Sequence, residues 1–229
     1  MKASTKLFII GSFAGLLSDC SKTEVVQPIL IAQYPLTSNG RDLTGFNADM
    51  TLMNTTFQNG GIYSNGINTY DSIPVSIGAP VAFNPSASVI QSPPLRFFNF
   101  QSFSISLDFF VSINRTQPVW VIGTNCRWLG FYLNADSTIA LFYNNNNFVS
   151  IEKTYSLNQW HEARISYDGT IVKVYFDDVL VGSRRFGKNG SQLGYTTCNT
   201  YDTQVGIVNY SDGSTFNGFV RNMIVHSPL

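Results

Sequence analysis

Charge is scarce in this chain and what there is cancels: only 12% of the 229 residues are charged, with 14 Lys and Arg against 14 Asp and Glu. No basic patch can be drawn from that balance, which speaks against nucleic acid as a partner. Glutamate is close to missing, with Glu24, Glu152 and Glu162 alone. Glycoside hydrolysis needs two carboxyl groups set about 5 Å or more apart, and the E-x-D-x-x-E spacing that puts such a pair on one strand does not occur. Histidine is limited to His161 and His226, and no Ser or Cys nucleophile is tied to either by a motif. G-x-S-x-G, H-E-x-x-H, Walker and dinucleotide-binding patterns are absent as well. The adjacent Asp177 and Asp178 read as turn chemistry rather than an acid/base pair, since neighbouring side chains diverge. These absences favour a chain without catalytic machinery. A lyase drawing Tyr, His and Arg from separate strands is selected by nothing in the sequence. Nor does any span hold an apolar period of 3.6, the mark of an amphipathic helix.

What is present is alternation. Ala163, Ile165 and Tyr167 alternate with Glu162, Arg164 and Ser166; beyond Asp168-Gly169, Val172, Val174 and Phe176 alternate with Ile171, Lys173 and Tyr175. A period of two about Asp-Gly predicts a hairpin with a tight primed turn, each strand burying one face. Ile105, Leu107, Phe109, Val111 and Ile113 form another alternating face, followed by short strands over 119–122, 128–133 and 138–143. Asn144 to Asn147 supply a turn, and strands over 205–210 and 219–226 close the set.

The stretch from Leu157 to Gly182, opened by Trp160-His161 and closed by Asp177-Asp178, resembles the signature of the laminin G-like, concanavalin A-like jelly-roll domains. Further stretches match in the same order: 32–47, Gly60-Gly61-Ile62, 103–109, and 216–220 with Ile224-Val225. The resemblance spans roughly 29–226 and implies an all-β, two-sheet antiparallel sandwich. It leaves function open, because one sandwich carries lectins, adhesion modules, glycosidases and passive spacers.

Residues 1–20 read as a signal peptide, with Lys2 and Lys6 ahead of an apolar run over 7–17 too short to span a bilayer. Residues 21–28 form a tether and 29–229 one domain. Leu16 to Cys20 resembles a bacterial lipobox, except that Asp19 stands where a small residue is expected. Two readings follow: Cys20 carries a lipid anchor, the one membrane contact expected, or ordinary cleavage occurs nearby. The chain is then secreted or held at the cell surface. In that oxidising setting Cys126 and Cys198 form a disulfide or stay as two buried thiols.

For recognition, Trp128, Tyr195 and Tyr201 offer aromatic platforms, with Arg127, Asn125 and Asn199 as polar neighbours. A Cys126–Cys198 bond would gather them on one rim, while Trp120 and Trp160 are assigned to the core. No cofactor is required. The resemblance does bring in calcium at a rim, with Asp42, Asn39 and Asn47 supplying oxygens. Arg221, standing where many relatives carry Asp, opposes that ion and could take its place in an ion pair. Between Tyr70 and Phe103 a proline-rich excursion departs from the family pattern. The expected function is a non-catalytic module recognising glycan or a surface protein; the alternatives are a glycan-cleaving enzyme and a structural subunit of a surface assembly.

Overall fold

The structure is a computed structural model and describes residues 28–66, 89–91, 95, 102–124, 127–143, 146–185, 204–207 and 216–227. Among these residues every regular element is a strand. The first seven are β1 (Ile29–Tyr34), β2 (Thr51–Met53), β3 (Thr56–Gln58), β4 (Gly61–Asn65), β5 (Val89–Gln91), β6 (Phe103–Phe110) and β7 (Gln117–Thr124). Four follow: β8 (Arg127–Leu133), β9 (Thr138–Tyr143), β10 (Asn146–Thr154) and β11 (Trp160–Tyr167). The last four are β12 (Ile171–Phe176), β13 (Val179–Arg185), β14 (Gln204–Ile207) and β15 (Asn217–Ser227).

They form two antiparallel sheets. One has eight strands in the order β13-β12-β11-β6-β15-β4-β3, with β1 also paired to β15; the other has seven, in the order β10-β9-β8-β7-β14-β5-β2. This is the two-sheet, all-β sandwich of jelly-roll type that the resemblance implies, and the alternation supplies its buried faces. Its cause is plain in β6, where Phe103, Ile105, Leu107 and Phe109 are buried and Ser104, Ser106, Asp108 and Phe110 are half-exposed. β11 and β12 repeat the pattern. Register places Ile105, Ile165 and Val174 side by side on the inner face. Val119, Phe131, Leu133, Ile139, Leu141 and Ile151 complete the core from the other sheet, each such side chain contributing about 1.5–3 kcal/mol through burial.

Several local expectations shift. Gly169 has φ 91° while neither Asp168 nor Thr170 has a positive φ, and Asp168 N bonds Ile171 O at 3.4 Å. The turn is therefore centred on Gly169-Thr170, with glycine at the first central position. Asp168 instead caps it, its Oδ1 accepting from Thr170 N and Ile171 N at 2.9 and 2.8 Å. The primed turn with two left-handed residues is the next one, where Asp177 and Asp178 have φ 48° and 61°. Asn146 and Asn147 belong to β10, Asn146 pairing with Tyr143, so the connection is shorter than four asparagines. Ile113 lies past the end of β6 and is exposed.

β15 organises the larger sheet. Its first half pairs with β4 and its second with β1, while β6 runs along its other side. A bulge between Arg221 and Ile224 separates the halves; there Asn222 has φ 52° and its N–H donates to Pro35 O at 2.8 Å. Most of the proline-rich excursion lies outside the described residues, but within it β5 pairs with β2 and β14.

Candidate functional site

The outward face of the eight-stranded sheet carries a connected set of half-exposed aromatic and charged groups. Tyr63, Phe219, Phe110 and Trp160 are direct cross-strand neighbours on β4, β15, β6 and β11. Their ring centroids are 5.1, 5.7 and 5.9 Å apart in succession, and all four are half-exposed. Trp160, expected in the core, therefore belongs to the surface, because it shares the outward phase of Glu162 and Arg164. Trp120 is buried as expected.

One step along each strand, Arg221, Asp108 and Glu162 stand in register. Arg221 Nε donates to Asp108 Oδ2 at 3.0 Å and Asn222 Nδ2 donates to the same oxygen at 2.7 Å. The Arg221 guanidinium lies 4.0 Å from the centre of the Trp160 ring. A parallel arrangement sits beside it. Arg164 lies 4.1 Å from the Tyr175 ring, with its Nε 3.4 Å from Glu162 Oε1 and its Nη2 3.2 Å from Asp178 Oδ1. Such partly solvated pairs contribute little stability, about 0–1 kcal/mol each, and the cation–ring contacts a similar amount. Their effect is orientational. Burial raises the Glu162 carboxyl above the usual range, and the nearby Asp178 carboxylate adds to it against the opposing pull of Arg164.

The loop expected to hold calcium is built differently. Asp42 is buried, and its Oδ1 accepts from Gln33 N and Thr44 N at 2.9 and 3.1 Å. Its Oδ2 accepts from Thr44 Oγ1, Asn47 N and Asn47 Nδ2 at 2.6, 3.0 and 2.9 Å. Five donors occupy a carboxylate that offers about four lone pairs. Burial alone would push this carboxyl up, but the hydrogen bonds from Gln33, Thr44 and Asn47 outweigh it and hold it below the usual range. Asn39 is not in the network; its Oδ1 caps Arg41 N at 3.0 Å. This donor set does not fit a calcium ion, which would have to displace the loop's own N–H and O–H groups. Arg221 forms the ion pair open to it, but with Asp108.

His161 is buried against Phe176 and Phe109, with ring centroids 4.8 and 5.6 Å away. Its Nδ1 lies 2.8 Å from Asp177 Oδ2 and its Nε2 3.0 Å from Ser156 O. The other Asp177 oxygen accepts from Glu162 N at 2.8 Å. Asp177 thus ties the hairpin turn to the head of β11, and His161 is engaged on both ring nitrogens.

Of the proposed rim site, the structure describes one backbone relation: Arg127 and Trp128 open β8 opposite Thr124 and Gly123 of β7. Asn125, Cys126, Tyr195, Cys198, Asn199, Tyr201 and the lipobox Cys20 lie outside the described residues. The aromatic row escaped sequence reasoning because its members come from four strands and meet only through register. The phase of Phe110 and Trp160, each opposite its strand's buried set, was the available signal.

No family model matches the chain, and no curated protein matches its sequence. Solved structures of similar fold do exist. Domain 4 of AbnA, an extracellular arabinanase of Geobacillus stearothermophilus in complex with arabinotriose, is 15% identical, covering 88% of this chain and 93% of that one with a TM-score of 0.60. Trypanosoma rangeli sialidase is 13% identical over 87% of this chain, with a TM-score of 0.61. The match covers 31% of the sialidase chain. At these identities the likeness is one of fold.

Proposed function

We propose that this chain is an exported, non-catalytic sandwich of the laminin G-like, concanavalin A-like class that recognises glycan. The observation that carries the reading is the half-exposed row Tyr63–Phe219–Phe110–Trp160 bordered by Asp108, Asn222 and Arg221. Sugars present an apolar C–H face and a ring of hydroxyls, and this surface offers rings for the first and planar polar groups for the second. The similar fold of an arabinanase domain solved with arabinotriose supports it. Export rests on the amino-terminal pattern, and a Cys126–Cys198 disulfide would add a rim surface with Trp128, Tyr195 and Tyr201.

A glycan array with the full chain, run beside a reducing-end release assay on each hit, tests the reading. Saturable binding without product is expected. Rapid product release would transfer the assignment to a second reading, glycan cleavage, which one observation favours: Asp108 and Glu162 are cross-strand partners in unlike environments. Asp108 is held by Arg221 and Asn222, whereas the Glu162 carboxyl is raised by burial. Glu162→Gln would then abolish turnover.

A further inference from the structure

We infer that Trp160, Arg221, Asp108 and Asn222 form a subsite for a neutral glycan, which it reads through two adjacent hydroxyls. The inference rests on the glycan reading above and names the ligand chemistry for one part of that face. Asp108 Oδ2 is committed, taking Arg221 Nε and Asn222 Nδ2 at 3.0 and 2.7 Å. Asp108 Oδ1 accepts no hydrogen bond among the described residues, and the two Nη groups of Arg221 donate none. An open acceptor and open donors therefore belong to the two members of one ion pair. That pairing suits a vicinal diol, in which one hydroxyl donates to the carboxylate while its neighbour accepts from the guanidinium.

The geometry is fixed beyond what an ordinary cross-strand ion pair requires. The Arg221 guanidinium is held 4.0 Å from the indole of Trp160. The bulge that gives Asn222 its φ of 52° aims a second donor at Oδ2, leaving Oδ1 clear. Phe110 and Phe219, next in the row, lie beside the subsite and can take an apolar sugar face. Charge selects against acidic glycans. Arg221 is balanced by Asp108, and Arg164 by Glu162 and Asp178, so an incoming carboxylate or sulfate meets guanidiniums already paired and three carboxylates around them.

The test measures binding of neutral and uronate-bearing oligosaccharides to the folded full chain and to Asp108→Asn and Arg221→Lys, with folding checked by circular dichroism. Neutral ligands should bind, acidic ones should bind at least tenfold more weakly, and each variant should lose about tenfold in affinity, the scale of one charge-assisted hydrogen bond. Neutral binding undiminished in both variants, or a preference for acidic glycans, overturns the subsite while leaving the module a glycan binder. Binding of neither class overturns the glycan reading itself. Should the variants not fold, monodeoxy analogues of the bound sugar decide on the native chain: loss of either adjacent hydroxyl weakens binding about tenfold if the inference holds, and unchanged affinity overturns it.

Discussion

The indole of Trp160 crosses β6 and β15 to rest on Gly61, where a side-chain Cβ would stand 2.7 Å from the indole Cη2 and 2.7 Å from Val220 O. The ring lies low on the sheet because that position has no side chain. Gly61→Ala should displace the indole and strain the β4–β15 pairing, since the Val220 carbonyl is backbone and cannot swing aside. A cost of about 1–3 kcal/mol is expected, read by urea denaturation, together with a changed tryptophan emission spectrum. Unchanged stability and emission would contradict the packing.

Asp42 predicts an acid-range stability loss. Its carboxyl is held below the ordinary value in the folded chain, so its contribution is complete above the unfolded value near 4 and disappears as pH falls through the lower folded value. Asp42→Asn should cost about 1–3 kcal/mol at pH 7 and flatten the stability profile below about pH 4. Chemical denaturation of both proteins between pH 2 and pH 7, an experimental range chosen to bracket about one carboxylate titration, provides the comparison.

Asp177 combines a left-handed backbone with three uses of its carboxylate and N–H, toward His161, Glu162 N and Glu162 O. Asp177→Ala should destabilise by about 1–3 kcal/mol, through the acceptors lost to a buried ring nitrogen and a backbone N–H. Asp177→Asn, which tolerates the same backbone and keeps an acceptor, should cost less. Asp178 faces solvent at φ 61°, so Asp178→Gly should lie within about 0.5 kcal/mol of the native chain. Thermal unfolding ranks the three.

Phe109 and Phe110 separate stability from recognition. Phe109 is fully buried, and its truncation to Ala should cost about 3–5 kcal/mol. Phe110 faces outward, so Phe110→Ala should cost less while removing most glycan affinity. Equal losses of stability would place both rings in the core.

Sequence reasoning reached the fold because a strand's period of two needs no partner to be seen: Ile105, Leu107 and Phe109 declare their buried face alone. It also read Glu162 as outward and Asp177-Asp178 as a turn. It misplaced Trp160 by weighing the apolar ring over its phase, which position 160 shares with the outward Glu162 and Arg164. It made Asp42 a metal ligand because Asn39 and Asn47 beside it supply the oxygens a cation wants; in the folded loop N–H and O–H groups of Thr44 and Asn47 face the carboxylate instead, and Asn39 caps Arg41. The subsite at Asp108 and Arg221 was invisible for a third reason: their strands are far apart in the chain, and only the pairing of β6 with β15 sets them opposite.

That last pairing governs when the molecule can take shape. β15 spans Asn217–Ser227 and is the strand through which β1, β3 and β4 reach β6. Until residues 217–227 have been synthesised, β1, β3 and β4 lack the strand that joins them to β6 among the described residues. Assembly of the larger sheet must therefore wait until β15 has been made, and contacts so distant in sequence form slowly. A nascent chain stalled before residue 217 should remain protease-sensitive however stable the completed sandwich is.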